Sequence, residues 1–277
     1  AFGCLIYYLS EYVSFNESLN VAGALGKMNI ITTGAESGSF DWSDRYNIIS
    51  GLIGGLFLQL SYFGTDQSQV GRYLGGESVK ESRLGLIFNG LMKVPVQFFI
   101  LLTGVLVFVF YQFNQPPVYF NEVAYTQTKN SIYAEELDRL ETAYLAATDN
   151  QTKLNRELAE QKVTADAQQT EILRNSQEQV NGLRTEINAV IKKANPDIDD
   201  DHDYIFMHFV MNYLPIGLVG LLFAVIFSAS MSSTSSALNG LATTFSVDIY
   251  KRFINKNASE QQHLNASNVL TGLLGAM

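Results

Sequence analysis

Cysteine is nearly missing from this 277-residue chain. The single residue, Cys4, has no partner for an internal disulfide and sits in an apolar run, where a small buried hydrophobe is expected. Histidine is scarce as well, with three residues scattered along the chain, and no glycine-rich loop of the phosphate-cradling kind is present. Those absences leave no assembled catalytic constellation, so neither an enzyme nor a cofactor is expected. Charged residues make up only 16% of the chain, and the net charge of −9 offers nucleic acid no basic surface. No basic segment precedes Ala1, so no signal peptide is visible.

What the chain has in quantity is apolar sequence, 47% of its residues, and this is gathered in blocks. Residues 47–63, 84–113 and 214–227 are too long or too densely apolar for ordinary soluble core helices, the first being marginal. They predict at least three spans and an all-α, polytopic membrane bundle. Residue 1 falls inside an apolar, helix-like stretch (AFGCLIYYLSEYVSF) and Met277 inside another (NVLTGLLGAM), so a piece of a longer chain is expected. Arg72, Lys80 and Arg83 follow the first block, and Lys251, Arg252 and Lys256 follow the third. By the positive-inside rule both segments are cytoplasmic, which places the sequence between the second and third blocks outside. Residues 17–44, with Trp42 near the next span, fit an external loop ending in an interfacial aromatic.

The acidity belongs to one insert. Residues 115–204 hold 17 acidic and 9 basic side chains, a balance of −8 out of −9. No proline occurs between 118 and 195, and from 131 to 193 Gly182 is the only glycine. Tyr133, Leu137, Leu140, Tyr144 and Ala147 recur at alternating four and three spacing, and Leu173, Val180, Leu183, Ile187 and Val190 keep a heptad; the middle, with Gln151, Gln161 and Gln168, is weaker. A coiled coil is expected, with a disordered polar linker as the other reading. A straight helix of that length would reach roughly 90 Å at about 1.5 Å per residue. Because both ends return to one bundle, a hairpin turning near 162–169 is expected. The chain therefore divides into membrane helices at 1–120, an extracytoplasmic coiled-coil hairpin at 121–203, and membrane helices again at 204–277. The re-entry sequence NPDIDDDHDY crowds aspartates around His202: either a divalent-cation site or an acidic loop with Asp203 capping a helix from Tyr204.

Three features carry chemistry. In FSASMSSTSSALNG, residues 227–240, seven of the nine positions from 228 to 236 bear hydroxyls. Helical spacing puts Ala229, Ser232, Ser233 and Ser236 on one face, with Ser235 beside Ser232. Two readings stand. Small hydroxylated faces let membrane helices pack closely, with Ser233 bonding back to the Ala229 carbonyl. Alternatively, that carbonyl with the hydroxyls of Ser232 and Ser233 offers a small hard cation such as Na⁺ three neutral oxygens, the rest coming from another helix. Lys93 lies about nine residues into the block that starts at Leu84, close to mid-membrane by helical rise, where an ionisable group is costly and marks a functional site, unless its long stem carries the ammonium to the interface. Pro95 just beyond should bend the helix or free a carbonyl. Gln59, Tyr62 and Phe63 end the first block, as an interfacial aromatic belt or as a gate closing a pocket lined by the Gln59 amide.

The run YFGTDQSQVGRYLGGESVKESRLGLIFNGLMKVPVQFFILLTGVLVF, followed by YLPIGLVGLLFAVIFSASMSSTSSALNGLATTFSVDIYKRF, resembles the sixth, seventh and eighth core helices of the sodium:solute symporter family. Residues 1–20 look like the end of the fifth and the last residues like the start of the ninth. The resemblance implies an inverted-repeat transporter fold in a cytoplasmic membrane, with Na⁺ as the coupling ion and a small organic solute as the substrate. It implies that Ala229, Ser232 and Ser233 are sodium ligands, and that Ser235 and Ser236 fall where some members build a second sodium site. It places Tyr62, with Phe63 next to it, at the inner-gate aromatic, Gln59 at a polar position lining the solute, and Lys93 at a lysine that contacts solute in sugar-transporting members. The insert is much longer than the family's usual seven-to-eight loop, and a protein partner for it is one expectation. A membrane solute sensor that feeds a signalling domain is the alternative function, and an adhesion or assembly module built on the insert is a third. Lys93 suits a carboxylate by charge or a sugar hydroxyl by hydrogen bonding, so the solute stays open.

Overall fold

Twelve helical segments follow one another along a computed structural model that describes residues 2–28, 47–74, 78–160, 167–198 and 200–276, with the backbone alone at 72–74, 158, 160, 167 and 168; no strand occurs among the described residues. Trp42, Gln161, the centre of the expected hairpin turn, Asp199 and the side chains of Arg72 and Gln168 lie outside the description. Two compact units emerge, Ala1–Ile30 with Val96–Val219, and Ile31–Pro95 with Gly220–Met277.

In the first unit, α1 (Phe2–Leu9) is followed by α2 (Phe15–Ala24). Residues 17–24, the start of the stretch expected as external loop, are helical as part of α2 because Ser14 and Glu17 form a capping box. The Ser14 hydroxyl accepts the Glu17 N–H at 3.3 Å, and the Glu17 carboxylate accepts the Ser14 N–H at 2.7 Å. The helix stops at Gly26, whose φ of 72° only glycine adopts freely, while Lys27 donates its N–H back to the Ala22 carbonyl. Cys4 is half-buried rather than buried.

The insert forms α6 (Glu122–Lys129), α7 (Ala134–Glu160) and α8 (Ala167–Ala194). Helices α7 and α8 run antiparallel: Glu136 faces Lys193, and Gln151 faces Gln177. The heptad residues fill the seam, with Leu137 and Ile187 fully buried and Leu140, Tyr144, Val180 and Val190 nearly so. Helix α9 (His202–Tyr213) follows, and its Phe209 and Tyr213 pack edge-on against Phe110 of α5 (Val79–Phe113), at ring-centroid distances of 5.1 and 4.7 Å. The helix expected to be capped by Asp203 begins at His202, with Asp203 in its first turn and Asp201 at the N-cap position. The Asp201 side chain does not cap either, because it is committed to the Phe120 N–H at 2.6 Å and to Arg184 at 2.7 Å.

In the second unit, α3 (Ile48–Gly64) starts at Asn47, whose side-chain oxygen accepts the Ser50 N–H at 2.8 Å. Helix α4 (Gln67–Leu74) follows directly. Helix α10 (Ile216–Thr244) begins just after Pro215, carries the serine-rich stretch without interruption and passes into a π-helical segment (Phe245–Ile254) before α11 (Glu260–Ala276). Pro95 sits inside α5, which continues through it; the missing N–H leaves the Leu91 carbonyl without its helical donor. Val79–Phe113 and Ile216–Ile254 are long and apolar enough to cross a membrane, and Ile48–Gly64 is a shorter apolar helix. Phe57, Leu58 and Phe227, all about two-thirds exposed at 67, 66 and 66%, form the kind of apolar surface that lipid or further helices cover.

Candidate functional site

The candidate residues of the second unit lie on α3, α5 and α10. At the C-terminal end of α3, Tyr62 packs edge-on against Phe63, ring centroids 5.1 Å apart, and its hydroxyl donates to the Gln69 side-chain oxygen at 3.0 Å. Gln69 belongs to α4, one helix further on, so the phenol is held by a residue that the sequence reading passed over. The Lys93 ammonium sits 5.3 Å from the centre of the Tyr62 ring. A cation at that distance is attracted by the ring's negative face, which compensates part of the ammonium's lost hydration. Residues 62 and 93 are thus brought together. Gln59 lies exposed one turn before Tyr62, with no hydrogen bond to the pair among the described residues.

On α10, Ala229, Ser232 and Ser233 lie together on one exposed face, as does Ser235 beside them. The back-bond expected from Ser233 to the Ala229 carbonyl is not made. Other hydroxyls do bond back one turn: Thr103 to the Phe99 carbonyl and Thr243 to the Asn239 carbonyl, both at 2.7 Å. The hydroxyls of Ser232 and Ser233 are therefore uncommitted among the described residues, and with the second lone pair of the Ala229 carbonyl they form a three-oxygen set free of fixed charge.

Ser236 differs from its neighbours, since it is half-buried and its hydroxyl approaches the Ser68 carbonyl at 3.4 Å. Ser236, Asn239, Gly240 and Thr243 continue the same face down α10 and, with Gln67, Ser68 and Gly71 of α4, enclose a polar cavity of about 300 Å³. A Cβ on Gly240 would just touch the Ser68 backbone, at 3.4 Å, so α4 and α10 come within van der Waals contact here. Asn239 and Thr243 were missed in the sequence reading, although they extend the three-four spacing that starts at Ala229.

Two aspartates of the acidic loop before α9 are paired. His202 donates its N–H to Asp200 at 3.1 Å and its ring to the same carboxylate at 3.0 Å, hydrogen bonds that hold the Asp200 carboxyl below the usual range. Asp201 pairs with Arg184. No group of three His, Cys, Asp or Glu that could hold a metal ion assembles among the described residues.

Long apolar helices, one carrying a face of uncommitted hydroxyls and another a lysine over an aromatic ring, are those of a helical membrane protein. Residues 185–277 match the model of the sodium:solute symporter family, and the chain's resemblance to that family is established there, on the stretch that includes the serine-rich helix. Three relatives extend the likeness. The sodium/sialic acid symporter NanT of Aliivibrio fischeri is 42% identical over 76 residues, 26% of this chain and 15% of that protein. The sodium/glucose cotransporter of Vibrio parahaemolyticus is 23% identical over 218 residues, 78% of this chain and 27% of the relative. Mouse sodium/glucose cotransporter 4 is 47% identical over 53 residues, 19% and 8% of the two chains. The chain thus spans about a quarter or less of the relatives it matches. No solved structure gives a significant match.

Proposed function

We propose that this chain forms the sixth-to-eighth-helix part of a sodium-coupled symporter that carries a small organic solute across the cytoplasmic membrane by alternating access. The single observation that carries this reading is the uncommitted oxygen face of α10, Ala229 with Ser232 and Ser233, lying inside the stretch that matches the family model. A sodium ion bound there exchanges hydration water for neutral oxygens, strongly enough to be ordered and weakly enough to leave. Ser235 and Ser236 are the candidates for a second sodium site. Tyr62 and Phe63 form the inner gate, and Lys93 and Gln59 meet the solute.

In this mechanism Na⁺ enters from outside and bridges α10 to a helix that supplies the remaining ligands. Its differential affinity favours the outward-open state. The solute then packs on Tyr62 with the Lys93 ammonium as hydrogen-bond donor, the outside closes, and Na⁺ escapes inward as α10 moves away. Each inward charge contributes about 2.3 kcal/mol per 100 mV of membrane potential. The α7–α8 pair stands on the outer side, following the positive-inside assignment of Lys251, Arg252 and Lys256. The names of the relatives favour transport over the sensor reading. An uptake panel of radiolabelled sugars, sialic acid and carboxylates, run on the complete protein with and without sodium, tests it. At least one solute should accumulate only with sodium, and sodium-independent binding with no accumulation of any would replace transport by sensing.

A further inference from the structure

A second cavity, of about 300 Å³, lies in the first unit where the C-terminal end of α5 meets α7, α8 and the start of α9. That volume is at the lower end of small-molecule pockets, roughly 300–1,000 Å³. Its wall is built from carboxamides, Gln112, Gln151, Gln177 and Asn181, and from aromatic rings, with Tyr144 and Phe120 prominent. The amides form one network. Gln177 Oε1 accepts from Gln112 Nε2 at 2.9 Å and from Gln151 Nε2 at 3.0 Å, and Gln177 Nε2 donates to Asn181 Oδ1 at 2.9 Å.

Counting donors and acceptors shows what remains. Gln151 Oε1, Asn181 Nδ2 and the second N–H of both Gln112 and Gln177 have no protein partner among the described residues. Gln112 and Gln151 are each only 5% exposed, and both line the cavity. Gln177 is half-buried and Asn181 exposed, so this spare capacity faces the cavity and its mouth, where water or a bound ligand can meet it. The free set mixes acceptor and donors within one small space, which is the pattern a hydroxyl satisfies, because it donates and accepts at once.

Charge argues against an anion. The inner cation, Arg184, is neutralised by Asp201, which is fully buried at 2.7 Å from it. The other lining cation, Lys27, is exposed at the rim and lies over the Phe108 ring at 5.0 Å. Tyr144 and Phe120 border the cavity but are themselves only 1% and 6% exposed, with Arg184 over the Phe120 ring at 4.9 Å, so the wall meets a ligand chiefly through its polar edges.

We propose that this cavity is a solute site separate from the sodium-linked one, binding a neutral polyol of monosaccharide size through the Gln112–Gln151–Gln177–Asn181 network. It stands independently of the transport reading, because it needs no sodium. The test is calorimetric titration of the full chain in lipid nanodiscs, in sodium-free choline buffer, with D-glucose, D-galactose, myo-inositol and acetate as probes. At least one of the three neutral probes should bind and acetate should not. Gln177→Leu should weaken that binding about tenfold or more, since three of the network's hydrogen bonds converge on this side chain. Asn181→Ala, at an exposed position whose loss does not threaten folding, should weaken it about threefold. Absence of binding by all three neutral probes, binding that neither substitution changes, or acetate binding as tightly as the polyols would overturn the proposal.

Discussion

Asp201 is fully buried and carries two polar contacts, accepting the Phe120 N–H at 2.6 Å and pairing with Arg184 at 2.7 Å, while the Arg184 guanidinium lies over the Phe120 ring at 4.9 Å. Such a pair is weak evidence for net stability, yet removing one member strands the other. Asp201→Ala is therefore expected to destabilise the first unit by about 3–5 kcal/mol, read as a shifted denaturant midpoint in the helical circular-dichroism signal. Asp201→Asn keeps an acceptor for Phe120 and should lose less. At the other candidate site, Tyr62→Phe retains the ring under Lys93 and loses only the hydrogen bond to Gln69, whereas Tyr62→Ala removes the ring. Uptake assays should find the solute concentration for half-maximal rate nearly unchanged in the first variant and raised about fivefold or more in the second. Equal effects would assign Tyr62 to helix packing rather than to the solute.

At the scale of elements, the C-terminal end of α5 has carbonyls that no further turn can satisfy, and α7 supplies the donors. Asn155 Nδ2 donates to the Gln112 carbonyl and Arg156 to the Phe113 carbonyl, both at 2.8 Å, and the Arg156 guanidinium also lies over the Tyr12 ring at 4.8 Å. The helical pair is thus a cap for α5 as well as an appendage. Replacing both residues by alanine is expected to cost about 2–4 kcal/mol in denaturation, the charged donor contributing more than the neutral one. In the seam, Leu137→Ala should cost about 2–5 kcal/mol. Here the sequence was informative in one respect and silent in another. The three-four spacing of Leu137, Leu140 and Tyr144 identifies buried positions because helical periodicity is local. Gln151 looks like a lapse in that pattern, and its reason lies 26 residues away at Gln177 and at the end of α5. Periodicity cannot report a long-range polar contact. The Ser14–Glu17 box was the opposite case: a local signal, readable in principle, that falls on the boundary between an apolar run and a stretch whose composition read as loop.

For the whole molecule, the three-residue face of Ala229, Ser232 and Ser233 was legible from spacing alone, while the Tyr62–Lys93 approach joins positions on two helices and needed the fold. Deleting residues 125–195 would uncover the end of α5, so the truncated protein should melt at a lower temperature while any uptake it retains stays sodium-dependent; sodium-independent residual uptake would make the insert part of ion coupling. The central claim is sodium ligation by α10. It is tested most directly by the sodium titration of solute uptake into proteoliposomes by the complete protein and by its Ser233→Ala variant. The account predicts sodium-dependent accumulation in the parent and its loss in the variant, with the variant still folded and inserted. Uptake by Ser233→Ala with the parent's sodium dependence would contradict it.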